Sequence, residues 1–176
     1  GAGIGAGTYG PSGRITIEDG RVFAFGGPNG GAGIGSGEGC HESDVETINI
    51  TIKGGEVKAQ AGRMDENNNW NDDPGAAIGT GGCVRDEGDS GLKVTAESYF
   101  TGDIKLLGGT VRAYSADITR ASGTNKDTLN VIGTTSKDNK DWYKKGRVTF
   151  DGATVYMYPG AGSDAIKQVV KAGADA

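Results

Sequence analysis

Apolar and polar residues alternate in four short blocks of the same shape. They read I-T-I-E-D-G-R-V-F-A-F at Ile15 to Phe25, I-T-I-K-G-G-E-V-K-A-Q at Ile50 to Gln60, I-K-L-L-G-G-T-V-R-A-Y at Ile104 to Tyr114 and V-T-F-D-G-A-T-V-Y-M-Y at Val148 to Tyr158. Each block predicts two strands around a tight turn, because a period of two places every second side chain on one face. Ile15, Ile17, Val22 and Ala24 form that face in the first block. Ile50, Ile52, Val57 and Ala59 repeat it in the second, Ile104, Leu106, Val111 and Ala113 in the third, and Val148, Phe150, Val155 and Met157 in the fourth.

A second motif precedes each block. G-A-G-I-G spans Gly1 to Gly5 and Gly31 to Gly35, G-A-A-I-G spans Gly75 to Gly79, and a degenerate L-N-V-I-G runs from Leu129 to Gly133. Its isoleucines, Ile4, Ile34, Ile78 and Ile132, supply a third inward column. Three strands per repeat and about four repeats predict an all-β fold, a parallel β-helix or solenoid in which coils stack on one another. The crossover rule for parallel strands makes it right-handed. A flat glycine-rich β-sandwich is the alternative architecture. A composition without breaks predicts a single domain over 1–176, read as a segment of a longer protein.

The coils differ in length because loops are inserted at two places, over Glu38 to Glu46 and Cys83 to Thr101, and over Arg63 to Pro74 and Ala116 to Thr128. Cys40 follows Ile34 by six residues and Cys83 follows Ile78 by five. That matched placement on adjacent coils predicts a Cys40–Cys83 disulfide and with it an oxidising, extracellular setting; two free thiols are the alternative. Ser163 to Ala172 carries Ala165, Ile166, Val169 and Val170 at helical spacing behind a capping serine. It predicts a short C-terminal helix that closes one end of the solenoid. No such cap precedes Gly1, which leaves the first coil for further coils or for self-association.

Composition narrows the function classes. The 34 glycines follow no three-residue period, which excludes collagen, and suit sharp corners between strands. A net charge of −5 argues against nucleic acid as a partner. No apolar run is long enough for insertion in a membrane. The single histidine, His41, adjoins Cys40, but neighbours on a loop seldom form a working thiol–imidazole pair. No carboxylate pair is marked as convergent, so the chain reads as a non-enzyme. Asp65, Glu66, Asp72 and Asp73, with the asparagines between them, crowd oxygen ligands into one inserted loop and suggest calcium as a cofactor. A solvated polar loop explains the same residues.

One wall of the predicted solenoid carries candidate ligand-binding residues. If Val22 and Ala24 point inward, then Phe23 and Phe25 point outward. The same two columns hold Lys58 and Gln60, then Arg112 and Tyr114, then Tyr156 and Tyr158. Aromatic faces suit sugar rings, and the cations suit acidic groups. Strand decoration and a protein interface are the competing explanations.

G-A-G-I-G followed by I-T-I-x-G-G-x-V-x-A resembles the glycine-rich β-helix repeats of large bacterial surface proteins, some labelled carbohydrate-binding. The resemblance covers the repeat copies, about half of the chain, and neither the insertions nor the tail. It implies secretion, attachment to a cell surface, and contact with polysaccharide or another surface ligand. The expected function is therefore a non-catalytic extracellular binding module. The alternative is a structural segment of an adhesin stalk, phage fibre or filament that assembles by coil stacking.

Overall fold

The computed structural model describes residues 1–8, 10, 12–28, 30–37, 46–62, 75–82, 100–116, 131–133 and 146–160. In each alternating block the two expected strands form. They are β2 (Gly13–Ile17) and β3 (Arg21–Phe25), β5 (Glu46–Ile52) and β6 (Glu56–Gln60), β8 (Phe100–Leu106) and β9 (Thr110–Tyr114), and β11 (Gly146–Phe150) and β12 (Thr154–Tyr158). The glycine motifs supply β1 (Ile4–Gly5), β4 (Ile34–Gly35), β7 (Ile78–Gly79) and β10 (Ile132–Gly133).

Every third strand pairs, in parallel and in register. The first sheet is β1-β4-β7-β10, the second β2-β5-β8-β11 and the third β3-β6-β9-β12. The described residues are all-β, and three parallel four-stranded sheets, one strand of each per repeat, are the arrangement of a parallel β-helix with four coils. The expected helix over 163–172 lies outside the described residues.

The inward columns follow the repeat. Ile15 pairs with Ile50 and Ile50 with Ile104, while Ile17, Ile52, Leu106 and Phe150 form the next column. Val22, Val57, Val111 and Val155 line the third sheet beside Ala24, Ala59, Ala113 and Met157. Side chains of the middle two coils are fully buried, among them Ile34, Ile50, Ile52, Ile78, Ile104, Leu106 and Val111. On the outer coils Ile17, Ala24, Ile132 and Val148 are buried as well, Ile4, Ile15, Val22, Val155 and Met157 are only partly covered, and Phe150, expected to face inward, is 39% exposed. Burial, the dominant stabilising term, is thus concentrated where a coil has neighbours on both sides.

Two local features depart from the simple reading. The glycine motif contributes a strand of only two residues, because the flanking residues close a tight loop. Ala32 N–H donates to the Ser36 carbonyl at 3.1 Å, and Ala76 to Thr80 at 2.9 Å. The glycine of the strand, the last of the motif, is demanded by position. Gly35 and Gly79 have φ of 141° and 140°, and a Cβ on either would strike the carbonyl oxygen of the equivalent glycine one coil on, Gly79 and Gly133. Secondly, β5 and β8 reach into the expected insertions, with Glu46 paired to Phe100 and Thr47 to Thr101. The second sheet therefore begins earlier in the middle coils than the block alignment indicates.

Candidate ligand-binding face

The outward side of the third sheet is built by alternation. Since Val22, Val57, Val111 and Val155 fill the core, their neighbours in each strand face away from it. Register then sorts twelve residues into three columns. The first, next to the turn from the second sheet, is Arg21, Glu56, Thr110 and Thr154. The second is Phe23, Lys58, Arg112 and Tyr156. The third is Phe25, Gln60, Tyr114 and Tyr158. All seven residues expected to bind ligand, Phe23, Phe25, Lys58, Arg112, Tyr114, Tyr156 and Tyr158, therefore share one face.

The third column is a continuous stack. The Tyr114 and Tyr158 rings lie 4.4 Å apart and within 7° of parallel. The Lys58 ammonium sits 5.0 Å from the Tyr114 centroid and 5.8 Å from that of Phe25. Lys58 belongs to the second column, but its long stem carries the charge into the third, at the rung that Gln60 occupies. The stack therefore runs Phe25, Lys58 ammonium, Tyr114, Tyr158, one tier per coil. β6 and β12 flank β9 on opposite sides, so Tyr114 is engaged on one face by a cation and on the other by a ring. The cation meets the negative face of the ring quadrupole, and the second ring adds buried aromatic contact.

Arg112 is held twice. Its guanidinium carbon lies 5.2 Å from the Tyr156 centroid, and its Nη1 donates to Glu56 Oε1 at 3.4 Å. The other oxygen of Glu56 accepts from Arg21 Nε at 3.2 Å. Arg21 and Glu56 thus extend the face beyond the seven residues read from the sequence. They sit two positions before Phe23 and Lys58, and alternation alone was a sufficient signal for them.

The open rungs are the outer ones. Phe23 and Phe25 are 54% and 53% exposed on the first coil, and Tyr156 and Tyr158 are 45% and 40% exposed on the last. The middle rungs, Lys58 with Gln60 and Arg112 with Tyr114, are half-buried by their neighbours. Three cations face one carboxylate on this wall, and no carboxylate stands in the second or third column. The acidic groups Glu18, Asp19 and Asp151 lie instead in the turns that join the second sheet to the third. One of them, Glu18, is paired with Lys53 at 2.9 Å.

A second charged cluster lies on the second sheet. Asp103 accepts from Arg147 Nε at 3.1 Å, and Lys105 Nζ lies 3.4 Å from its other oxygen. Burial works against ionisation of Asp103, but the two hydrogen bonds and the two positive charges outweigh it and lower its pKa. Arg147 on the fourth coil is thereby linked to Asp103 on the third, and among the described residues no aromatic stands in the outward columns of the second sheet.

The other expected sites lie outside the described residues: Cys40 and Cys83, His41, and the loop with Asp65, Glu66, Asp72 and Asp73. Among the described residues no group of three or more His, Cys, Asp or Glu side chains is placed to hold a metal. No described helix is long and apolar enough to cross a membrane. Comparison of the chain with protein-family models, with curated proteins and with solved structures gave no match.

Proposed function

We propose that this chain is a non-catalytic extracellular binding module whose third sheet contacts polysaccharide. One observation carries the reading. Five aromatic rings and two cations occupy two adjacent columns of a flat wall, in a register that brings one rung per coil. Rungs about 4.8 Å apart suit an extended polymer that touches several of them at once, and aromatic and guanidinium planes are the groups that pack against sugar rings and pair with acidic ones. The right-handed sense of the coil, the helix over 163–172 as an end cap, the Cys40–Cys83 disulfide, surface attachment and calcium in the Asp65–Asp73 loop belong to the same proposal. The disulfide draws support from the pairing of Ile34 with Ile78, since the two cysteines follow those strands at similar distances.

The test is binding of Arg112→Ala/Tyr114→Ala to a panel of immobilised polysaccharides. Loss of binding with cooperative unfolding retained supports the reading. Removal of the tiers around Tyr114 lowers the melting temperature by a few degrees, since each aromatic or cation contact is worth about 1 kcal/mol. Binding is therefore compared well below the transition. Full affinity in the variant places the ligand elsewhere.

A second reading draws on the partly covered inward residues of the outer coils, Ile4, Ile15, Val22, Val155 and Met157. Stacking of coil on coil between copies would bury them. A mass that resists dilution, and that the wall substitutions leave unchanged, favours this structural role over ligand binding.

A further inference from the structure

Among the described residues, Glu56 is the one carboxylate in the three outward columns of the third sheet. It lies on the second coil, between an arginine on the first coil and another on the third, and gives one oxygen to each: Arg21 Nε at 3.2 Å and Arg112 Nη1 at 3.4 Å. Its side chain is 46% exposed and that of Arg21 72%. An exposed ion pair of this kind contributes little to stability, about 0–1 kcal/mol, and exchanges readily with solvent.

We infer that Glu56 is an affinity-setting counter-ion: in the free protein it occupies the two arginines that an acidic group of the ligand takes over on binding. The inference rests on the polysaccharide reading above and names the class, an acidic polysaccharide with carboxylate or sulfate groups.

The argument is one of charge and geometry. Lys58 is enclosed between the Phe25 and Tyr114 rings, so its charge helps set the potential of the wall rather than reaching out to a partner. Arg21 and Arg112 are the forked donors. Each guanidinium offers five N–H groups, and one contact to Glu56 uses only a fraction of them. Arg112 is also held by the face of Tyr156. When Glu56 swings away, that contact keeps the guanidinium in place, which lowers the ordering cost of ligand binding.

A carboxylate or sulfate matches such a fork. Among the described residues, Glu18, Asp19 and Asp151 lie in the turns and not in the three columns. A neutral glycan has no charged group to exchange for Glu56 and leaves its ion pairs in place. Glu56 thus tempers the affinity for acidic ligands and leaves that for neutral ones unchanged.

Glu56→Gln tests this, because it keeps shape and removes the charge that an incoming anion must displace. Affinity for polygalacturonate and for dextran is measured at low and at physiological salt, with the melting temperature in parallel. The parent is expected to bind polygalacturonate over dextran, and less tightly as salt rises. The variant is expected to bind polygalacturonate about three- to tenfold more tightly, the effect of removing one nearby like charge, and dextran no differently.

A variant that binds polygalacturonate equally or less well overturns the role of Glu56, and leaves the wall as the polysaccharide site. A parent that binds dextran as well as polygalacturonate overturns the acidic class alone. A parent that binds neither, or that binds oligothymidylate in their place, overturns both this inference and the reading it rests on.

Discussion

At the scale of single residues, the last glycine of each G-x-x-I-G motif is the least replaceable position in the repeat. Gly79 needs positive φ and has no room for a Cβ, since the Gly133 carbonyl of the next coil occupies that space. Gly79→Ala is expected to cost at least ~1–3 kcal/mol from backbone strain alone, and more once the coil is pushed aside. Chemical denaturation should find a lower midpoint or no cooperative transition; an unchanged midpoint contradicts the packing described for the first sheet.

Asp103 sets a pH dependence. Its pKa is lowered on folding, so its stabilising contribution is fully present above the ordinary carboxyl range and fades as pH falls through the lowered value. Asp103→Asn should therefore lower the unfolding free energy at neutral pH by about 1 kcal/mol or less for so exposed a cluster, and the difference from the parent should shrink in acid. A difference that grows in acid contradicts the pairing with Arg147 and Lys105. Lys105 shares the face of Asp103 by alternation within one strand, whereas Arg147 lies 44 residues away and meets it only through coil register.

At the scale of elements, the strand pairs of the second and third sheets were legible in the sequence because four copies align over eleven positions with one apolar phase. Ile52 and Leu106 indeed stack, fully buried, in one column. The first sheet was legible as a column of isoleucines but not as strands of two residues, since glycine-rich sequence does not reveal how tightly its loop closes. The starts of β5 and β8 were missed because insertions of unequal length break the alignment there. The wall residues were legible by alternation, whereas their mutual contacts were not: that Lys58 leaves its own column to lie between Phe25 and Tyr114 depends on side-chain reach. This contact has its own test. A double-mutant cycle of Lys58→Met and Tyr114→Leu should return a coupling of ~0.5–1 kcal/mol. Additive effects would mean that the stack is an assembly of independent rungs.

At the scale of the whole molecule, the most deeply buried side chains and the most open rings stand on different coils. The two middle coils hold the buried columns, and the aromatic groups most open to solvent stand on the outer ones. The second sheet faces outward with threonines and paired ions, the third with rings and cations. A chain of net charge −5 that nonetheless gathers three cations against one carboxylate on a single wall has a local field opposite to its overall one, and that field acts only within about a Debye length. The most direct test is amide chemical-shift mapping during titration with polygalacturonate. The account predicts perturbations confined to β3, β6, β9 and β12, largest around Arg21, Glu56, Arg112 and Tyr156, and reversed by added salt. Shifts centred on the second sheet, or on the inserted segments 63–74 and 83–99 with the third sheet silent, would contradict it.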